Sequence, residues 1–197
     1  DVAALEAAAE EAGCEVVVLC PPGRFVAQGD RLAVATGRVE AIAPFAAAFT
    51  ISPNRSFDQD PRYGLAVLGE IAARALSPAV NDPATAASTV GAGLRLLQRW
   101  ADRALPDEAR CARVRAPGLD PQGLIDDVFG PASRYGAADP VLAESLLKAL
   151  TVLSTSPDRE LAQAASVLAD ETLARVRASS MEPRWKTVCE ACFDTAR

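Results

Sequence analysis

Between Tyr63 and Leu76 the apolar positions Leu65, Leu68, Ile71, Ala72, Ala75 and Leu76 recur at spacings of three and four, which predicts a helix with one buried stripe. Ser77-Pro78 ends it. The next start is strongly marked, with Asn81 or Asp82 as N-cap, Pro83 at the first helical position and a run to about Leu105. The same grammar recurs at Asp120-Pro121, Asp139-Pro140 and Ser156-Pro157: a capping oxygen, then a proline whose missing N–H costs nothing in a first turn. Those starts predict helices through Val128, Leu153 and Arg177. Pro183 opens a last amphipathic helix with Trp185, Val188, Cys192 and Phe193 on its inner side. About six helices follow Pro61, joined mostly by short loops, as in a bundle.

The pattern before Pro61 is different. Val2 to Ala12 predicts a helix with Asp1 as N-cap and Gly13 as its stop. Cys14 to Cys20 is a continuous run with the length of a buried strand. Pro21-Pro22-Gly23 turns the chain, Phe25-Val26 predicts a brief extended piece, and Arg31 to Thr36 alternates as a strand. Val39 to Ala48 predicts a short helix, which Pro44 either confines to its first turn or breaks, and Phe49 to Ile51 a returning strand. Cys111 to Arg115 reads as a stray strand. The expected fold is α+β and mainly α, a helical bundle preceded by a small β-containing lobe, with domains at 1–52 and 53–197.

Composition narrows the possibilities. Half of the residues are apolar, the net charge is −6, and no run of Lys and Arg supplies a basic stripe, so nucleic acid and direct docking on anionic lipid are both set aside. The chain has no histidine, which removes the commonest general base and metal ligand together. Five cysteines, an odd number with no secreted spacing, fit reduced thiols. Cys189 and Cys192 form a C-x-x-C on a predicted helix, where packing explains them better than zinc, which would need two further ligands. No metal and no cofactor is expected. No apolar run reaches the ~18 residues of a membrane helix.

The densest chemistry lies between Asn54 and Ala86. Arg55, Asp58, Asp60 and Arg62 share one loop, while Arg74, Ser77, Asn81 and Asp82 gather at the far end of a helix. Paired carboxylates could do acid–base work, and the arginines could clamp an anion. A helix of 13 residues is roughly 20 Å long, however, so its two ends share a site only through tertiary folding or a second subunit. Caps and turns are the preferred reading. Gly91 and Gly93, inside one helix, predict a close helix crossing.

Arg55, Asp60, Gly64-Leu65, Leu68, Ile71-Ala72, Arg74 to Pro78, Asn81-Asp82-Pro83 and Thr85-Ala86 are similar to the signature of the DUF2254 family of predicted bacterial membrane proteins. Pro22-Gly23, Phe25-Val26, Gly29 and Leu32 also resemble that family's pattern, and Tyr63 stands where the family often has Phe. The specific part of the resemblance lies between Pro22 and Ala86; the helices after Asp120 agree only loosely. The resemblance implies transmembrane helices ahead of Asp1 and places this part, as a cytoplasmic domain, beside the bacterial inner membrane. It implies no activity.

Three functions follow as expectations. The first is a non-enzymatic soluble module that assembles subunits as a homo-oligomer or senses a small ligand. The second is an enzyme, with Asp58 or Asp60 as acid or base, Arg55 and Arg74 holding an anionic substrate, and Asn81 and Asp82 orienting it. The third is a gating domain of a channel or transporter.

Overall fold

The computed structural model describes residues 1–37, 39–103 and 111–194. These form two compact units, one of residues 1–63 with 111–118, the other of 64–103 with 119–194. The architecture is mainly α with a small sheet.

The first unit opens with α1 (Val2–Ala12), capped by the Asp1 carboxylate, which accepts from the Ala4 N–H at 3.1 Å. Gly13 ends the helix in the left-handed region at φ 63°, and the Cys14 N–H closes back on the Ala9 carbonyl at 3.0 Å. Strand β1 (Glu15–Val18) pairs antiparallel with β2 (Ala33–Thr36). A short helix, α2 (Ala43–Ala47), follows with Pro44 in its first turn, so proline starts this helix instead of ending it. Phe25-Val26 and Phe49 to Ile51 form no strand, because neither segment finds a ladder partner.

The second unit begins with α3 (Tyr63–Ala75, whose first residue belongs to the first unit) and α4 (Pro83–Ala101). Strand β3 (Val114–Arg115) then belongs to the first unit, where it pairs parallel with β1 to give the order β2-β1-β3. Back in the second unit come α5 (Pro121–Tyr135), α6 (Pro140–Ser154), α7 (Arg159–Ala178) and α8 (Pro183–Asp194).

A single side chain fastens β3. The Glu6 carboxylate of α1 accepts the consecutive backbone N–H groups of Ala112, Arg113 and Val114 at 2.8–3.2 Å. Desolvation works to raise its pKa. The three N–H donors and the Arg113 charge outweigh it and hold the pKa below the ordinary value of 4.5. A lowered folded-state pKa means that this stabilisation is complete above the ordinary glutamate range and is lost as pH falls through the depressed value. Glu6→Gln is therefore expected to weaken the protein at neutral pH and to flatten the acid limb of its stability. Denaturant midpoints measured from pH 7 to pH 3 check this; parallel curves for the two proteins would refute it.

In the second unit the predicted punctuation is realised in the caps. Asp82, Asp120 and Asp139 each stand before a first-turn proline and accept from N–H groups of the turn that follows. For α7 the cap is Asp158 and the helix begins at Arg159, later than the Ser156-Pro157 start, since the Asp158 carboxylate takes the Leu161 N–H at 3.1 Å. Helix α4 closes at Ala101, short of the expected Leu105, which lies outside the described residues.

Helix α5 passes its expected end at Val128 and runs through Pro131 to Tyr135. Pro131 has no N–H to give the carbonyl of Asp127. Gly69 of α3 approaches that same carbonyl, so closely that an added Cβ would stand 2.0 Å from its oxygen. A weak Cα–H···O contact thus sits where the ladder is interrupted. Gly93 of α4 permits the close crossing expected of it, because a Cβ there would meet Val128 at 2.4 Å and Phe129 at 3.2 Å. Gly91 is different and faces only Arg95 of its own helix, with Nη1 3.5 Å from an added Cβ. The core runs through Phe129, Leu142, Leu146, Leu147, Leu150 and Leu161, each at most 1% exposed.

Candidate functional site

In the first unit the loop ahead of α3 is built around Asp60, which is 3% exposed. Its carboxylate receives Arg55 Nε at 2.5 Å and the Arg62 backbone N–H at 3.0 Å. The Arg55 guanidinium lies 5.1 Å from the Tyr63 ring centre, and Phe57 stacks against Tyr63 at 4.4 Å. On another side Gly23, at φ 80°, comes so close that a Cβ would stand 1.8 Å from an Asp60 carboxylate oxygen. The Pro22-Gly23 turn therefore lies against the anion of a loop 37 residues on, a contact that local turn chemistry does not reveal. Asp58 is exposed, and its N–H binds Ser56 Oγ at 3.2 Å. One member of the carboxylate pair is thus walled in by protein and the other faces solvent.

In the second unit, Arg74 is exposed and meets Glu70 at 3.6 Å one turn earlier in α3, a pairing that also suits the helix C-terminus. The Ser77 carbonyl accepts from the N–H groups of Val80 and Asn81, and the Asp82 N–H returns to the Ala75 carbonyl at 2.8 Å. Asn81 completes this turn at φ 48°, a left-handed conformation that asparagine tolerates better than most side chains. Asp82 then caps α4 through the Thr85 N–H at 3.0 Å and the Thr85 hydroxyl at 2.6 Å. Those two bonds, the hydroxyl's first, hold its carboxyl below the ordinary aspartate range, so that it is an anion at neutral pH. Arg55 and Asp60 are brought together in one unit. Ser77, Asn81 and Asp82 are brought together in the other, as a helix–helix joint.

In the second unit several further nucleophile-type side chains are engaged or covered. Ser133 and Thr172, both 0% exposed, form a polar chain across α5 and α7. Thr172 Oγ1 donates to the Leu168 carbonyl, so the Ser133 hydroxyl donates to Thr172 and accepts from Arg175 Nη1 at 3.0 Å. Spacing gave no sign of this network, which joins residues 39 apart. On α8 the fully covered thiol is Cys189, with Phe193 buried and Trp185 half-buried on the same face. Burial, followed by the neighbouring Cys192, pushes the Cys189 pKa up to about 11; burial also raises that of Cys192. Both are thiols at neutral pH, the less nucleophilic and less metal-binding form. Among the described residues no three His, Cys, Asp or Glu side chains stand close enough to hold a metal ion.

Among the described residues the surface of the second unit includes open depressions. One lies between the starts of α5 and α7, around Asp120, Arg159 and Gln163. Another runs between α3 and α4, lined by Gly64, Leu68, Ala92, Arg95, Leu96 and Arg99.

This chain is similar to proteins described as uncharacterized in Mycobacterium bovis and in two strains of Mycobacterium tuberculosis, each 37% identical over 118 residues. The match covers 55% of this chain and 22% of each relative's length, so most of each relative lies outside it. No solved structure matches. Among the described residues no helix is long and apolar enough to cross a membrane. The family described as "Predicted membrane protein (DUF2254)" matches residues 1–152 of the 197, and on that match this chain belongs to the DUF2254 family.

Proposed function

We propose that this chain is a non-catalytic, extramembrane module through which copies of a membrane protein associate. The observation that carries the reading is the outer face of the small sheet. Val16 and Val18 of β1 are buried against α1, whereas Val17 and its ladder partner Val34 of β2 are 37% and 41% exposed, with Leu19 beyond them at 43%. An uninterrupted apolar strand is the mark of a sheet covered on both sides, and here one side is open. Strand β2 lies at an edge of the sheet, and its residues, Ala33-Val34-Ala35-Thr36, include none of the lysines or prolines that block pairing there.

The engagement of the candidate polar groups supports the same reading, since Asp60, Asn81 and Asp82 serve loop and cap geometry. Light scattering on the full-length protein in detergent, and on this chain alone, tests it. The expected result is an oligomer that Val17→Glu, or separately Val34→Glu, reduces to a monomer that circular dichroism shows to be folded, because both side chains are partly exposed on the open face. A monomeric parent, or a variant of unchanged mass, would remove the proposal.

A further inference from the structure

No basic run is visible in the sequence, but helix α4 assembles one. Arg95, Arg99 and Arg103 stand four residues apart, on one side of the helix and its final turn, about 6 Å from one to the next along the axis. Helix α4 contains no Asp or Glu. Among the described residues no hydrogen bond or ion pair engages the side chains of Arg95 and Arg99, and both are exposed. Arg103 lies 3.6 Å over the Trp100 ring and donates to the Trp100 carbonyl, so the guanidinium and the half-buried indole form one amphipathic surface. Beside this stripe, the groove between α3 and α4 has an apolar floor of Gly64, Leu68 and Ala92, rimmed by Leu96 at 45% exposure.

We infer that this face of α4, with the groove beside it, is a docking surface for anionic lipid headgroups at a bilayer surface. Charge complementarity sets the sign of the partner. Arg95 and Arg99 stand on a helix without acids, and Arg103 follows just past its Asp102 cap, so in a chain whose net charge is −6 this stripe is a local concentration of positive charge. The form of the groove sets its class. A soluble metabolite site encloses most of its ligand, whereas this depression is open and pairs cations with apolar side chains, as a surface lying along headgroups does. Trp100 adds the amphipathic ring enriched at membrane interfaces. Membership of a family of predicted membrane proteins places a bilayer within reach of the chain. The inference stands on α4 alone and is independent of the sheet-face association.

Vesicle flotation of this chain tests it, with phosphatidylcholine vesicles against the same vesicles containing phosphatidylglycerol, at low salt and at 0.5 M salt. Binding is expected only to the anionic vesicles and is expected to fall at high salt. Each basic residue near an anionic leaflet strengthens binding about fivefold, so Arg95→Gln, Arg99→Gln and Arg103→Gln together are expected to weaken it roughly a hundredfold. A control with the same change in net charge, Arg24→Gln, Arg31→Gln and Arg159→Gln, is expected to keep most of it. Circular dichroism melts establish that both variants fold. Failure to bind anionic vesicles, equal binding to phosphatidylcholine, or equal loss in the control would overturn the inference. So would full displacement by millimolar inorganic phosphate, which identifies a soluble-anion site, or preference for polyglutamate over vesicles, which identifies an acidic protein partner.

Discussion

Gly23→Ala is expected to cost the first unit roughly 2 to 4 kcal/mol, from backbone strain together with displacement of an ion pair that is covered on the Asp60 side. Two effects combine. A side chain at φ 80° brings left-handed strain of about 1–2 kcal/mol. The new methyl would also stand 1.8 Å from a carboxylate oxygen of Asp60, so that the Arg55–Asp60 pair, 2.5 Å apart, has to open or the turn has to leave. Asp60 cannot retreat into solvent, being 3% exposed and bonded to the Arg62 N–H. Hydrogen exchange should rise together in the segments around Gly23 and around residues 55–62, with a matching drop in the urea midpoint. Asp60→Ala placed in the Gly23→Ala background should cost less than it does alone, because the two changes remove the same contact. Unchanged exchange in both segments would show that the turn does not depend on this carboxylate.

Phe129→Ala should be the most damaging single truncation in the second unit, at about 3 to 5 kcal/mol. The ring is 0% exposed in the middle of α5 and lies against the glycine face of α4, 3.2 Å from the position a Cβ would take on Gly93. Neighbouring backbone cannot easily close the void, since Gly93 has no side chain to move into it. Against a typical total stability of 5–15 kcal/mol this is at least about a fifth of the whole. Phe129→Leu, which keeps most of the volume, should cost much less. Guanidinium unfolding followed by far-ultraviolet circular dichroism gives both values, and a loss under 1 kcal/mol for the alanine variant would mean that the α4–α5 contact repacks freely.

What the sequence made legible was local. Asp82, Asp120 and Asp139 each stand beside their proline, and cap and first turn lie within four residues, so one stretch of chain contains the whole interaction. The features that escaped depend on distant partners. Pro131 locally reads as a helix end, yet α5 runs through it, and the approach of Gly69 to the Asp127 carbonyl there is tertiary. Phe49 to Ile51 has the composition of a strand but no neighbour to pair with. In the candidate site, the five-residue spacing of Arg55 and Asp60 placed them in one loop, yet the approach of Gly23 to Asp60 is tertiary. The arginines of α4 are hidden for the opposite reason: only the helical period lines them up, so a search for a continuous basic run passes over them.

The loan of β3 to the first sheet has a consequence for how the chain is made. Residues 1–63 leave the ribosome with the β1 edge open, and the residues that close it, Val114 and Arg115, follow some 50 positions later. At 5–20 residues per second that is about 3 to 10 s during which Glu6 has no amide groups to hold. Helices α3 and α4 emerge during that interval, so vectorial synthesis delivers two helices of the bundle before the earlier unit can be sealed.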